Sequence, residues 1–173
     1  LLDITLSINA NLPKAELVRK YESILSDELG IGKILLFKYG EQWEPLLNSG
    51  FPESLSHSIN VEKDLLHFRE IQTEVVQKHF RSVDFIIPVL HNNEPSAYVL
   101  IGDIDEEGEG MSPLIKHLHF IQTISGIIVV AIENQRLFRE SLRQEALRRE
   151  LDLAARMQMM LIPDNTRLPS GDT

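Results

Sequence analysis

The sequence predicts an α+β fold: an antiparallel sheet flanked by helices, followed by a long C-terminal coiled-coil helix. Three observations lead there. Helix-type and strand-type segments run in the order helix, two strands, helical region, two or more strands, long helix, which is the segregated pattern of α+β domains. A hairpin signal lies in the middle of the second strand group. No Gly or Pro occurs between Gly126 and Pro163, where Ala, Leu, Arg, Glu, Gln and Met dominate.

Residues 1–11 read as an incoming helix or linker. Leu1-Leu2-Asp3-Ile4 opens abruptly, without the basic n-region of a signal peptide, as if cut inside a helix. Asn11-Leu12-Pro13 starts the first full helix, with proline near its first position. Leu17, Tyr21, Ile24, Leu25 and Leu29 then recur at helical spacing, and Gly30 stands where a C-terminal cap belongs. Lys33 to Tyr39 is a strand with two apolar faces, so both sides of it should be covered. Gly40-Glu41 turns the chain into a weaker strand, Gln42 to Leu47, and Pro45 marks that strand as an edge.

Asn48 to Pro52 is a loop, and a helix is predicted from about Glu62 to Phe80. Asp84–Leu90 and Ala97–Gly102 flank the turn-rich His91-Asn92-Asn93-Glu94-Pro95 as a hairpin. Ser112-Pro113 supplies an N-cap and a first-turn proline for the long helix. From Ser112 to Pro163 that helix would extend on the order of 75 Å, more than one small domain needs.

Bulk properties exclude several functions. A net charge of -9 disfavours nucleic acid and anionic membranes as partners. The apolar run Phe120–Ile132 is too short and too interrupted to cross a bilayer, so no membrane insertion is expected. With no cysteine there are no disulfides, thiolate metal sites or thioether-linked chromophores, which suits a cytoplasmic setting.

The candidate sites are few. Asp103 to Glu109 imitates half a calcium loop but lacks the twelfth-position carboxylate, Leu114 standing there. His117 and His119, two apart on a helix, point to opposite sides and cannot chelate one ion. Phe37, Trp43, Phe51 and Phe85 either line a small-molecule pocket or fill the core. No catalytic, cofactor-binding or metal-binding residue is assigned.

The long helix carries two seams in alternating steps of four and three. The first is Ile124, Ile128, Ala131, Gln135, Phe138 and Leu142, and the second is Leu147, Leu151, Ala154, Gln158 and Leu161, with a slip near Ala146. A monomer would leave the second seam bare. A parallel homodimer is therefore expected, its interface built from Ile128, Phe138, Leu142, Leu147, Leu151, Ala154, Gln158 and Leu161.

Two resemblances sharpen the expectation. Leu47-Asn48-Ser49-Gly50-Phe51-Pro52, with Ile87-Pro88-Val89 and Tyr98-Val99-Leu100-Ile101-Gly102, resembles the strand exit and central hairpin of GAF domains over residues 12–132. Glu150-Leu151, Ala154, Met157-Gln158 and Leu161-Ile162-Pro163 resemble the lead-in helix of metal-dependent serine phosphatases like stage II sporulation protein E. The resemblance implies a GAF-like sensory domain (12–132), a coiled-coil signalling helix (133–163) and, from residue 164 to 173, the start of a phosphatase domain. That domain would hold Mn or Mg and act on a phosphoprotein of anti-anti-sigma type, while this chain carries no cofactor. Asp164 and Asp172 do not match the family's metal-binding aspartates, so no catalysis is expected of the chain itself. A small-molecule sensor coupled to another output, such as a nucleotide cyclase, is the alternative. A histidine kinase fits less well, because residues 133–162 hold no phosphoacceptor histidine.

Overall fold

The structure, a computed structural model, describes residues 12–104 and 116–171, with side chains to Leu161 except that of His79. The chain divides into two compact units, one ending at Glu133 and the other beginning at Asn134.

The first unit is a three-layered α+β domain. Helix α1 (Lys14–Ser23) follows Pro13, passes into a wider π turn at Ile24–Glu28, and is closed by Gly30 at φ 70°. Strands β1 (Ile31–Tyr39), β2 (Trp43–Ser49), β3 (Phe85–His91) and β4 (Glu94–Ile104) form an antiparallel sheet in the order β2-β1-β4-β3. Pro45 therefore lies on an edge strand, as its missing N–H demands. The β3–β4 hairpin closes in two residues, Asn92 and Asn93, both at positive φ (51° and 64°), the mirror-type turn that matches strand twist.

Each sheet face buries a separate core. On one face α1 and the first turns of α4 (Leu118–Gly171) pack against the sheet. Leu17, Tyr21 and Leu25 meet Ile34, Leu36, Val99 and Ile101, together with Ile121, Ile124, Ile128 and Ile132. Gln122 donates from Nε2 to the Pro88 carbonyl (2.7 Å), fastening α4 to β3. The only buried polar side chains among the described residues, Lys38 and Ser125, are both on this side. Ser125 donates to its own helix at the Ile121 carbonyl, so the Tyr21 hydroxyl, 2.6 Å from Ser125 Oγ, is the donor of that second bond. Burial pushes the Tyr21 phenol far above its ordinary value; the Ser125 bond opposes that shift and loses.

The opposite face is covered by residues 51–83, which differ from the single helix expected at Glu62–Phe80. They form α2 (Glu53–Ser58), α3 (Val61–Asp64) and a 3₁₀ turn at Lys78–Phe80, joined by irregular chain. The helix starts well, because Asn60 Oδ1 accepts from Lys63 N while the Asn60 N–H donates to Asp64 Oδ2. It stops at Leu65 (φ -121°), which turns inward to join Phe51, Phe80, Val83, Ile86 and Tyr98 in the second core. Gln72 then exchanges both backbone bonds with Ile86 of β3, a geometry closed to a helix. Burial against the sheet outweighed weak helical periodicity.

The expected helix start at Ser112-Pro113 and most of the acidic run Asp103–Glu109 lie outside the described residues. At the far end α4 continues to Gly171 instead of stopping at Pro163. A proline deletes one backbone bond but need not end a helix already propagated through many turns.

Candidate functional site

Two features of this fold can act on other molecules: a hollow on the outer sheet face and the exposed apolar side of residues 134–161.

The hollow, about 440 Å³, lies between the edge strand β2 and the α2–α3 segment. Trp43, Pro45 and Phe37 form its sheet wall, and His57, Ile59 and Asn60 face them. Alternation on the strand sends Trp43 and Pro45 outward to the hollow, and Phe37 is the cross-strand partner of Pro45. The Trp43 ring is fixed by tilted contacts with Tyr39 (5.3 Å) and Tyr98 (5.6 Å). Tyr98 is anchored in turn, donating its hydroxyl to the Phe68 carbonyl (3.1 Å). Burial raises the Tyr98 phenol against the pull of the nearby Arg69 charge. The reciprocal Asn60–Asp64 cap holds the opposite wall. An indole platform with amide and imidazole groups opposite suits a flat, partly polar small molecule.

Of the four aromatics singled out in the sequence, Phe37 and Phe51 are buried in the second core with Trp43 packed against it, and Phe85 is buried in the first, so they fill core more than they line one pocket. Phe37 and Trp43 share this hollow; Phe51 lines a neighbouring one of about 450 Å³, and Phe85 a third of about 440 Å³ beside Asp84 and Asp103. Among the described residues no group of three His, Asp or Glu side chains could hold a metal ion. Nor is any helix among them long and apolar enough to cross a membrane.

Of the eight interface candidates, seven are exposed: Phe138, Leu142, Leu147, Leu151, Ala154, Gln158 and Leu161. Ile128 is the exception. It is 0% exposed within the sheet domain's own core, as is its seam neighbour Ile124, so it has no surface to offer a second chain. Exposed apolar groups outside the assigned seam include Leu137, Leu153, Met157, Met159 and Met160.

Sequence reasoning missed Lys38. It follows Ile34 and Leu36 on the inward face of β1 and is 2% exposed, its Nζ 3.1 Å from Glu44 of β2 and 3.5 Å from Glu133 of α4. The available signal was a charge in an otherwise apolar alternation.

The architecture can be set against known structures. The GAF domain of a sensor histidine kinase from Pseudomonas syringae pv. tomato matches 83% of this chain and 90% of its own length, at a TM-score of 0.61 and 14% identity. The fold is GAF-like. A GAF domain/HD domain protein from Geobacter sulfurreducens matches 75% of this chain and 98% of its own (TM-score 0.51, 11% identity). A segment of a methyl-accepting chemotaxis protein also matches 75% of this chain, over 95% of its own length (TM-score 0.52, 11% identity). No protein-family model and no curated protein matches the sequence. At such identities the GAF-like likeness is one of fold.

Proposed function

We propose that this chain is the GAF-like regulatory module of a bacterial signal-transduction protein serine/threonine phosphatase, acting in the cytoplasm. It dimerises in parallel through α4 and relays conformational change along that helix to the phosphatase domain. In this reading the Mn or Mg ion sits in that domain, and the substrate is a phosphoprotein of anti-anti-sigma type.

The observation that carries the proposal is the exposed apolar seam Leu147, Leu151, Ala154, Gln158 and Leu161, directly after a GAF-like domain and ending in Leu161-Ile162-Pro163. Burying a leucine contributes about 1.5–3 kcal/mol. Three seam leucines in each of two chains yield on the order of 10 kcal/mol, against an association cost of about 4–15 kcal/mol. The dimer is marginal by that reckoning, so losing four of the six leucines is decisive. Replacing Leu151 and Leu161 with Lys is expected to convert dimers to monomers in sedimentation, while circular dichroism of the sheet domain is retained. A wild-type monomer, or a double variant that still dimerises, removes the proposal. The output domain is tested by reading on from Thr173: an aspartate-rich segment with a Gly-Gly-Asp-type core is expected.

The Trp43 hollow favours a second reading, a small-molecule sensor coupled to another output such as a nucleotide cyclase. Thermal-shift screening with nucleotides and small metabolites tests it, with stabilisation by at least one compound expected.

A further inference from the structure

We propose that the buried ammonium of Lys38 is the mechanical link between the Trp43 hollow and the signalling helix, through Glu44 on one side and Glu133 on the other. This rests on the sheet domain acting as a sensor that drives α4.

Burying a lysine is costly unless its charge is matched, and an apolar residue would suit this inward position of β1 better. Lys38 is nevertheless enclosed, and its two carboxylate partners belong to different elements. Glu44 is its cross-strand partner on β2, and Glu133 is the last residue of the sheet-domain unit, immediately before the exposed segment of α4. The ammonium thus ties a strand to the base of the helix.

Glu44 also lies between the two β2 residues that line the hollow. Side chains alternate along a strand, so Trp43 and Pro45 face the hollow while Glu44 faces Lys38 and the helix. Whatever displaces Trp43 and Pro45 must displace Glu44 on the reverse side of the same backbone. β2 has less holding it than the central strands. It is an edge strand bonded on one side only, and its pairing with β1 slips register at Leu36/Phe37, opposite Leu47 and Pro45.

Lys38 is held from below by a rigid central strand, so withdrawal of Glu44 shifts the ammonium's pairing toward Glu133. Its advance shares the charge between the two. The ammonium and Glu133 are shielded from water while Glu44 is 48% exposed, so the charge interaction is strongest at the helix end, and a movement of β2 alters how tightly α4 is held at Glu133.

Coupling of this kind is reciprocal, which allows a test without knowing the occupant. Trp43 is the sole tryptophan of the chain, so its fluorescence reports on the hollow alone. Glu133→Gln alters only the helix end of the link, on the other side of the sheet from Trp43. It is expected to shift Trp43 emission and to raise its acrylamide quenching. Conversely, Glu44→Gln is expected to lower hydrogen-exchange protection of amides around residues 129–137 by about tenfold. In a Lys38→Met background, adding Glu133→Gln should leave Trp43 unmoved, because the connecting charge is gone.

Trp43 fluorescence unchanged by Glu133→Gln, or changed equally with and without Lys38, overturns the proposal. If circular dichroism finds Glu133→Gln unfolded, Glu133→Asp, which keeps the charge on a shorter arm, carries the same comparison. Sedimentation of the same samples separates this from the dimer reading: dimers with an unresponsive Trp43 sink the link alone, and monomers with a responsive Trp43 sink the dimer alone.

Discussion

The buried pair Tyr21–Ser125 joins residues 104 positions apart and makes an asymmetric prediction about hydroxyl removal. In Tyr21→Phe, Ser125 keeps its bond to the Ile121 carbonyl and loses only an acceptor role. The cost is that of one ordinary hydrogen bond, about 1 kcal/mol. In Ser125→Ala the phenolic hydroxyl stays fully buried without its acceptor, a penalty of about 1–3 kcal/mol. Alanine's better helix propensity returns about 0.5 kcal/mol of that. The double variant removes both polar groups, so it should be more stable than Ser125→Ala alone, with a coupling of at least about 0.5 kcal/mol. Urea denaturation followed by Trp43 fluorescence measures all four proteins, and equal m-values certify that the unfolded state is unchanged. A double variant no more stable than Ser125→Ala alone, or strictly additive losses, would refute this bonding.

Other perturbations follow from the same packing. Burial raises the Tyr21 and Tyr98 phenols above their ordinary value of 10.0, so the stability held by their neutral forms is complete below pH 10 and declines above it. Each pH unit above that removes at most about 1.4 kcal/mol per phenol, and a melting series should find Tyr21→Phe less alkali-sensitive than wild type. Gly102 lies on a central strand, where an added Cβ would meet the Ser82 carbonyl oxygen at 2.3 Å, so Gly102→Ala should cost about 3 kcal/mol in urea. In Gly126→Ala the added Cβ meets Val89 Cγ1 at 3.3 Å, so the helix-propensity gain of about 1 kcal/mol is offset by the shift forced on buried Val89, and the net change should be far smaller than for Gly102→Ala.

The elements that could be read from sequence are those whose local and tertiary preferences agree. The face of Leu17 and Tyr21 on α1, continued by Leu25 in the π turn, is both helical in spacing and buried, and β1 is apolar on both faces because both are covered. Pro45 announced an edge by chemistry alone. Failures came where a distant partner decides. A single helix is expected from about Glu62 to Phe80, yet Leu65 and Phe80 descend separately onto the sheet, and the Gln72–Ile86 bridge depends on a strand still to come in the chain. Ile128 shares the four-three spacing of the exposed seam, and spacing cannot tell whether a sheet or a second helix fills the facing groove. Lys38 was legible only as an anomaly, since its partner Glu133 is 95 residues away in the chain.

Both margins of the sheet are obstructed. On one side Pro45 withholds a donor beside a register slip; on the other Pro88 does the same, and Gln72 already occupies Ile86. An incoming β-strand from another molecule finds no continuous ladder to extend at either border. Growth of the sheet by an added strand, with its risk of open-ended polymers, is thereby disfavoured at both borders.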